Sequence, residues 1–123
     1  VKDGPESDTE INRNLNTVAR FLNMHAQSGI PASQLTVALI VHGTAARNLL
    51  TDKAFKERYN VDNPNSELVE SLLEAGVEVI MCGQSSKTRG LPKEDLIPGI
   101  KIALSAMTAN IQLQNQGYRP IKL

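Results

Sequence analysis

Two residues stand where chemistry could be done, Cys82 and His42. Cys82 is the only cysteine in the chain. It ends the apolar run Val77-Glu78-Val79-Ile80-Met81-Cys82, and the polar stretch Gly83-Gln84-Ser85-Ser86-Lys87-Thr88-Arg89-Gly90 follows at once. A thiol in that setting sits at the carboxyl end of a buried strand, where open α/β sheets hold their ligands. His42 ends a second apolar run, Leu35 to Val41, and Gly43-Thr44 follow it. In a parallel sheet the two strand ends share one edge, so on neighbouring strands the side chains converge. An imidazolium, or loop N–H groups aimed at sulfur, would lower the thiol pKa from its usual value of about 8.5 and raise its thiolate fraction. The backbone around Gly43, Gly83, Gln84 and Ser85 can face an anion, either a thiolate or a sulfur-bound oxyanion. Lys87 and Arg89 add positive charge. These are the parts of a nucleophilic or sulfur-carrying cysteine, with Cys82 and His42 as the catalytic pair.

The same residues also admit plain roles. A cysteine ending a buried strand can be an inert core thiol, which would make the domain a non-catalytic oligomeric binding or interaction module. His42 can simply hydrogen-bond the loop backbone, and His25 reads as a helix-end residue. Arg47 and Asn48 are further anion-binding candidates that can equally be surface residues. His42 and Cys82 alone supply too few ligands for a metal, so no metal and no cofactor are expected. The chain contains no GxGxxG, no GxxxxGK[ST] and no GxSxG. No acidic pair stands at strand ends, which weakens the case for a carboxylate hydrolase.

The elements that must position these groups follow from period and punctuation. Ser7 and Glu10 have capping-box spacing. They open a helix whose apolar positions are Ile11, Leu15, Val18, Ala19, Leu22 and Ala26, and Gly29 stops it. Leu35 to Val41 reads as a strand covered on both faces. Short helical pieces follow, Ala45 to Leu50 capped by Thr44 and another capped by Asp52 that reaches about Arg58. Ser66 to Ala75 is helical with Gly76 as its stop, and strand Val77 to Cys82 comes next. Residues 83 to 90 read as a loop, Pro92 to Leu96 as one helical turn and Gly99 to Leu104 as a third strand. A helix from Ser105 or Ala106 to about Gln116 precedes a last edge strand, Tyr118 to Leu123. Alternation of strands and helices predicts one α/β domain over residues 1–123. It would be a three-layer α/β/α stack with a mostly parallel sheet of four or five strands. Val1-Lys2-Asp3 reads as the tail of a truncated first strand.

Composition narrows the function classes. The chain has 123 residues, enough to bury a core without disulfides. Lys+Arg and Asp+Glu both number 13, which argues against a nucleic-acid partner. No apolar run approaches the roughly 20 residues of a membrane span, so no membrane insertion is expected. One cysteine excludes an intrachain disulfide and a CxxC pair. The chain begins at Val1 without an initiator methionine, as a processed chain would.

Val41-His42-Gly43, Gly76-Val77-Glu78-Val79, Met81-Cys82-Gly83-Gln84-Ser85, Gly99-Ile100-Lys101 and Gln116-Gly117-Tyr118 together resemble the DsrE/DsrF-like family. The resemblance runs from about Asn16 to Leu123 and is closest to its single-domain branch. It implies a small α/β sheet of about five strands and assembly as a homo-oligomer, a trimer or hexamer. It also implies sulfur carried as a cysteine persulfide on Cys82 and exchanged with a partner protein thiol. Some relatives of that branch carry export signals, which favours an exported or periplasmic chain over a cytoplasmic one.

Overall fold

The computed structural model describes residues 1–123, Ala32 by its backbone alone. Three strands form one parallel sheet in the order β1 (Ala38–Val41), β2 (Glu78–Cys82), β3 (Lys101–Ala103). Val41 pairs with Met81, and Cys82 with Ala103, so the three carboxyl ends lie side by side.

Side-chain alternation splits the sheet into two faces. Leu39, Val41, Val79 and Met81 point into the larger core. There they meet Leu15, Val18 and Leu22 of α1 (Arg13–Gln27), Phe55 of α2 (Asp52–Tyr59), and Val69 and Leu72 of α3 (Ser66–Glu74). Ile80, with Ala38, Ile40 and Ala103, faces α5 (Ala106–Asn115) through Ala109 and Leu113. The result is the expected α/β/α layering, with one thick helical layer and a thin one made by α5. α4 (Gly83–Thr88) begins directly after β2, and a 3₁₀ helix, Gly43–Leu49, begins after β1.

The sheet has three strands rather than four or five. Val1 does extend it: its ammonium donates to Ile40 O at 2.6 Å and its carbonyl accepts from His42 N at 3.0 Å, the pattern of a parallel pair on the free edge of β1. Tyr118 to Leu123 is not a strand. The Tyr118 amide closes the end of α5 on Leu113 O, its ring packs against the thin layer, and Ile121 and Leu123 stay exposed. The stretch after Cys82, expected as a loop, is the short helix α4. Its end is fastened by Ser86 Oγ donating to Leu91 O at 2.6 Å and Leu91 N to Ser86 O at 2.8 Å.

α1 starts later than the Ser7–Glu10 spacing predicts. Ser7 Oγ accepts from Thr9 N and closes a local turn, while Asn12 caps the helix by accepting from Asn14 N at 2.9 Å. Asn12 belongs to a buried amide cluster. Its Nδ2 donates to Asn48 Oδ1 at 2.8 Å and its own N–H to Asn65 Oδ1 at 2.7 Å. Asn63 Nδ2 donates to the carbonyls of Asn48 and Leu50. Likewise α2 is capped by Thr51, not Asp52; the Asp52 carboxylate instead accepts from Asn63 N and Ser66 Oγ. These bonds tie the loops of the thick layer together, with no buried side-chain polar atom left unpaired among the described residues.

Candidate functional site

Cys82 closes β2 and is the N-cap residue of α4, a buried residue 4% exposed. Position alone does not decide between packing and chemistry. Burial acts to raise the thiol pKa. It is outweighed by hydrogen bonds to sulfur from the Ser85 amide, the Ser85 hydroxyl, the Ala106 amide and the Gln84 amide, so the net shift is downward. Two of the amides belong to the first turn of α4, and the third opens α5, from the neighbouring strand.

Gly83 makes this convergence sterically feasible. Its φ is ordinary, so flexibility is not the reason for glycine. A Cβ there would collide with Ala103 O and lie 3.0 Å from Leu104 O. Only a hydrogen lets the end of β3, and with it the Ala106 amide, come this close to Cys82. Gly43 is constrained differently: its φ is +61°, and a Cβ would sit 2.7 Å from Lys2 O. Its N–H donates to Ser85 Oγ at 3.0 Å, joining the end of β1 to α4.

His42 follows β1 level with Cys82, and strand alternation puts both beyond Ile40 and Ile80 on the α5 side. Among the described residues no hydrogen bond joins the imidazole to the thiol. Burial first, then the Val1 ammonium and Lys2, lower the His42 pKa against a smaller opposing effect of Asp3. The ring is therefore neutral at pH 7, and the donors to sulfur are N–H and O–H groups rather than an imidazolium. Gln84 contributes its backbone, with its side chain exposed. Arg89 lies exposed at the C-cap of α4, the end away from Cys82, and Lys87 is exposed in the last turn.

Arg47 and Asn48 serve the scaffold. Arg47 pairs with Asp8 at 2.6 Å, donates to Pro5 O at 2.7 Å and stacks over Tyr59 at 5.0 Å. Asn48 is buried in the amide cluster. His25 ends α1, with Nδ1 2.8 Å from Phe21 O. The residue that sequence reasoning missed is Ala106. Its signal was indirect: Ser105 caps α5 by accepting from Thr108 N at 3.0 Å, which aims the first amides of that helix toward the strand ends. No group of three His, Cys, Asp or Glu able to hold a metal occurs among the described residues. No described helix is long and apolar enough to cross a membrane.

The profile of the DsrE/DsrF-like family matches residues 1–123. The chain belongs to that family. Two archaeal relatives are similar in part: the uncharacterised protein MK0008 of Methanopyrus kandleri is 46% identical over 59 residues, covering 45% of this chain and 49% of the relative. The uncharacterised protein MJ0989 of Methanocaldococcus jannaschii is 45% identical over 51 residues, 41% of this chain and 45% of the relative. The chain thus spans about half the length of the curated relatives it matches. A solved structure, MTH1491 from Methanobacterium thermoautotrophicum, a protein of unknown function, superposes with a TM-score of 0.66 at 19% identity. That match covers 90% of this chain and 87% of MTH1491, and establishes the shared fold.

Proposed function

We propose that this DsrE/DsrF-like domain is a sulfur carrier of the sulfurtransferase type, with Cys82 as persulfide acceptor and donor. The observation that carries the reading is the place of Cys82 at the end of β2 and at the N-cap of α4, where the backbone and hydroxyl of Ser85 and the amides of Ala106 and Gln84 lower its pKa against the effect of burial. An inert core thiol has no use for them. Lowered pKa means more thiolate, the form that attacks sulfane sulfur. The amides of Gln84 and Ser85, at the Gly83 turn, hold the negative charge. Neutral His42, level with Cys82 at the next strand end, is placed to adjust protonation, and Arg89 contributes positive charge at longer range. No second cysteine exists in the chain, so the exchanging thiol comes from another molecule. Assembly as a homo-oligomer belongs to the same reading and is supported by Leu104, Met107 and Ile111, which are exposed beside the site.

The test is intact-mass measurement after incubation with a sulfane-sulfur donor. Addition of one sulfur atom, lost in Cys82→Ser, is expected; no addition to an alkylatable Cys82 would sink the proposal. A second reading, an interaction module with Cys82 as packing, is favoured by the low exposure of the residue. It predicts negligible alkylation of the native protein at neutral pH, whereas the carrier reading predicts reaction faster than that of free cysteine at pH values below the usual thiol range.

A further inference from the structure

Two helices of the thick layer carry charge that has no partner within the chain. The outer face of α1 presents Arg13 and Arg20, seven residues apart and opposite the buried Leu15, Val18 and Leu22, and α1 has no acidic residue. The outer face of α3 presents Glu67, Glu70 and Glu74 at helical spacing, and α3 has no basic residue. All five side chains belong to exposed residues. Among the described residues the ion pairs are Arg47 with Asp8, Arg58 with Asp95 and Lys101 with Glu78, and none involves α1 or α3.

Both rows stand where local physics opposes them. Arg13 is the first residue of α1, at the positive end of that helix dipole, and Glu74 is the last residue of α3, at the negative end. The three glutamates also repel one another along α3. Charges in these places do not help the single chain to fold. α1 and α3 pack against each other through the core that holds Leu15, Val18, Val69 and Leu72. One surface therefore carries a cationic row beside an anionic row. Turned about a two-fold axis, such a surface complements itself: α1 of each copy meets α3 of the other. A foreign acidic partner would match the α1 row alone, and a basic one the α3 row alone. The zero formal charge of the chain sets up no general repulsion between copies.

We propose that the α1–α3 face docks a second copy of this chain through a charged, isologous contact. It lies on the other side of the sheet from α5, whose exposed Met107 and Ile111 stand on a helix without a charged residue. The chain thus has two faces of different chemistry, one apolar and one ionic, and the ionic one is independent of the sulfur-carrier reading. Exposed ion pairs contribute little singly. The contact is accordingly weak, is summed over both halves of the two-fold, and is favoured by low salt.

The experiment is sedimentation velocity over a concentration series, at about 0.05 M and about 0.5 M sodium chloride. Two variants reverse one row each: Arg13→Glu with Arg20→Glu, and Glu67→Lys with Glu70→Lys and Glu74→Lys. Each reversal brings charge into accord with its helix dipole, so both variants are expected to fold with Tm at or above that of wild type. Alone, each variant sets like charges against each other in both halves of the contact. Its association at low salt weakens at least about tenfold, and its mass falls to half that of the wild-type assembly, whatever assembly the α5 face makes. Wild type at high salt falls to the same half mass. An equimolar mixture of the two variants has opposite charges in both halves, and the full mass returns at low salt. Wild-type mass in either folded variant alone, or no recovery on mixing, overturns the proposal. Association that persists in both variants and at high salt also overturns it, and assigns assembly to the α5 face.

Discussion

Replacing Gly83 by alanine tests whether the close approach of β3 to Cys82 builds the site. The added Cβ would meet two backbone oxygens, Ala103 O in hard collision and Leu104 O at 3.0 Å. Neither is the tip of a flexible side chain, so relief requires the end of β3 and the start of α5 to move away. Overpacking of this kind costs roughly 1–3 kcal/mol. For a domain of this size that lowers Tm by several degrees, at about 4 °C per kcal/mol. The same displacement withdraws the Ala106 amide from sulfur, so the Cys82 pKa must rise. Urea unfolding and the pH dependence of iodoacetamide alkylation read the two effects separately. Gly90→Ala is the control: its φ is +65° with nothing within 4 Å of a Cβ, so it costs strain of about 1–2 kcal/mol and leaves Cys82 unchanged. A Gly83→Ala protein as stable as wild type, with the same alkylation profile, would refute the steric argument.

Other consequences are as specific. Asn12→Ala removes the α1 cap and orphans Asn48 Oδ1, and is expected to cost about 2–4 kcal/mol in urea unfolding. Arg47→Ala frees the segment around Pro5 to Asp8, read as faster amide hydrogen exchange there with the Cys82 titration unaltered. The depressed Cys82 pKa also links stability to pH. The folded protein loses the thiol proton at lower pH than the unfolded chain, so the extra stability is complete above the unfolded value of about 8.5 and disappears as pH falls through the folded value. Unfolding free energy measured across that window should rise with pH in wild type and lack that component in Cys82→Ala.

The sheet was legible because its strands are short apolar runs with helices between them. The ends of β1 and β2 were marked by His42-Gly43 and Cys82-Gly83, and α3 and α5 by clear stops at Gly76 and Gly117. α4 was hidden because Gly83, Ser85 and Ser86 favour loops locally, and its end is held by bonds between Ser86 and Leu91. The start of α1 was misplaced because a tertiary cluster of Asn12, Asn48, Asn63 and Asn65, scattered along the chain, outweighs the local Ser7–Glu10 spacing. Asn48 and Arg47 looked available for anions only because their partners lie far away in sequence. In the site itself, the strand-end position of Cys82 was readable, but Ala106 acts through a backbone N–H that any residue type carries. The role of Gly83 is likewise a distance between strands, which no single-chain pattern encodes.

The central claim is that donors from α4 and α5 lower the Cys82 pKa despite its burial. Ultraviolet thiolate absorbance of native protein, titrated against pH with Cys82→Ser as the blank, measures this without demanding access by a reagent. The account predicts a midpoint below the value of about 8.5 for an ordinary thiol. A midpoint at or above that value would contradict it and return Cys82 to the role of a buried packing residue.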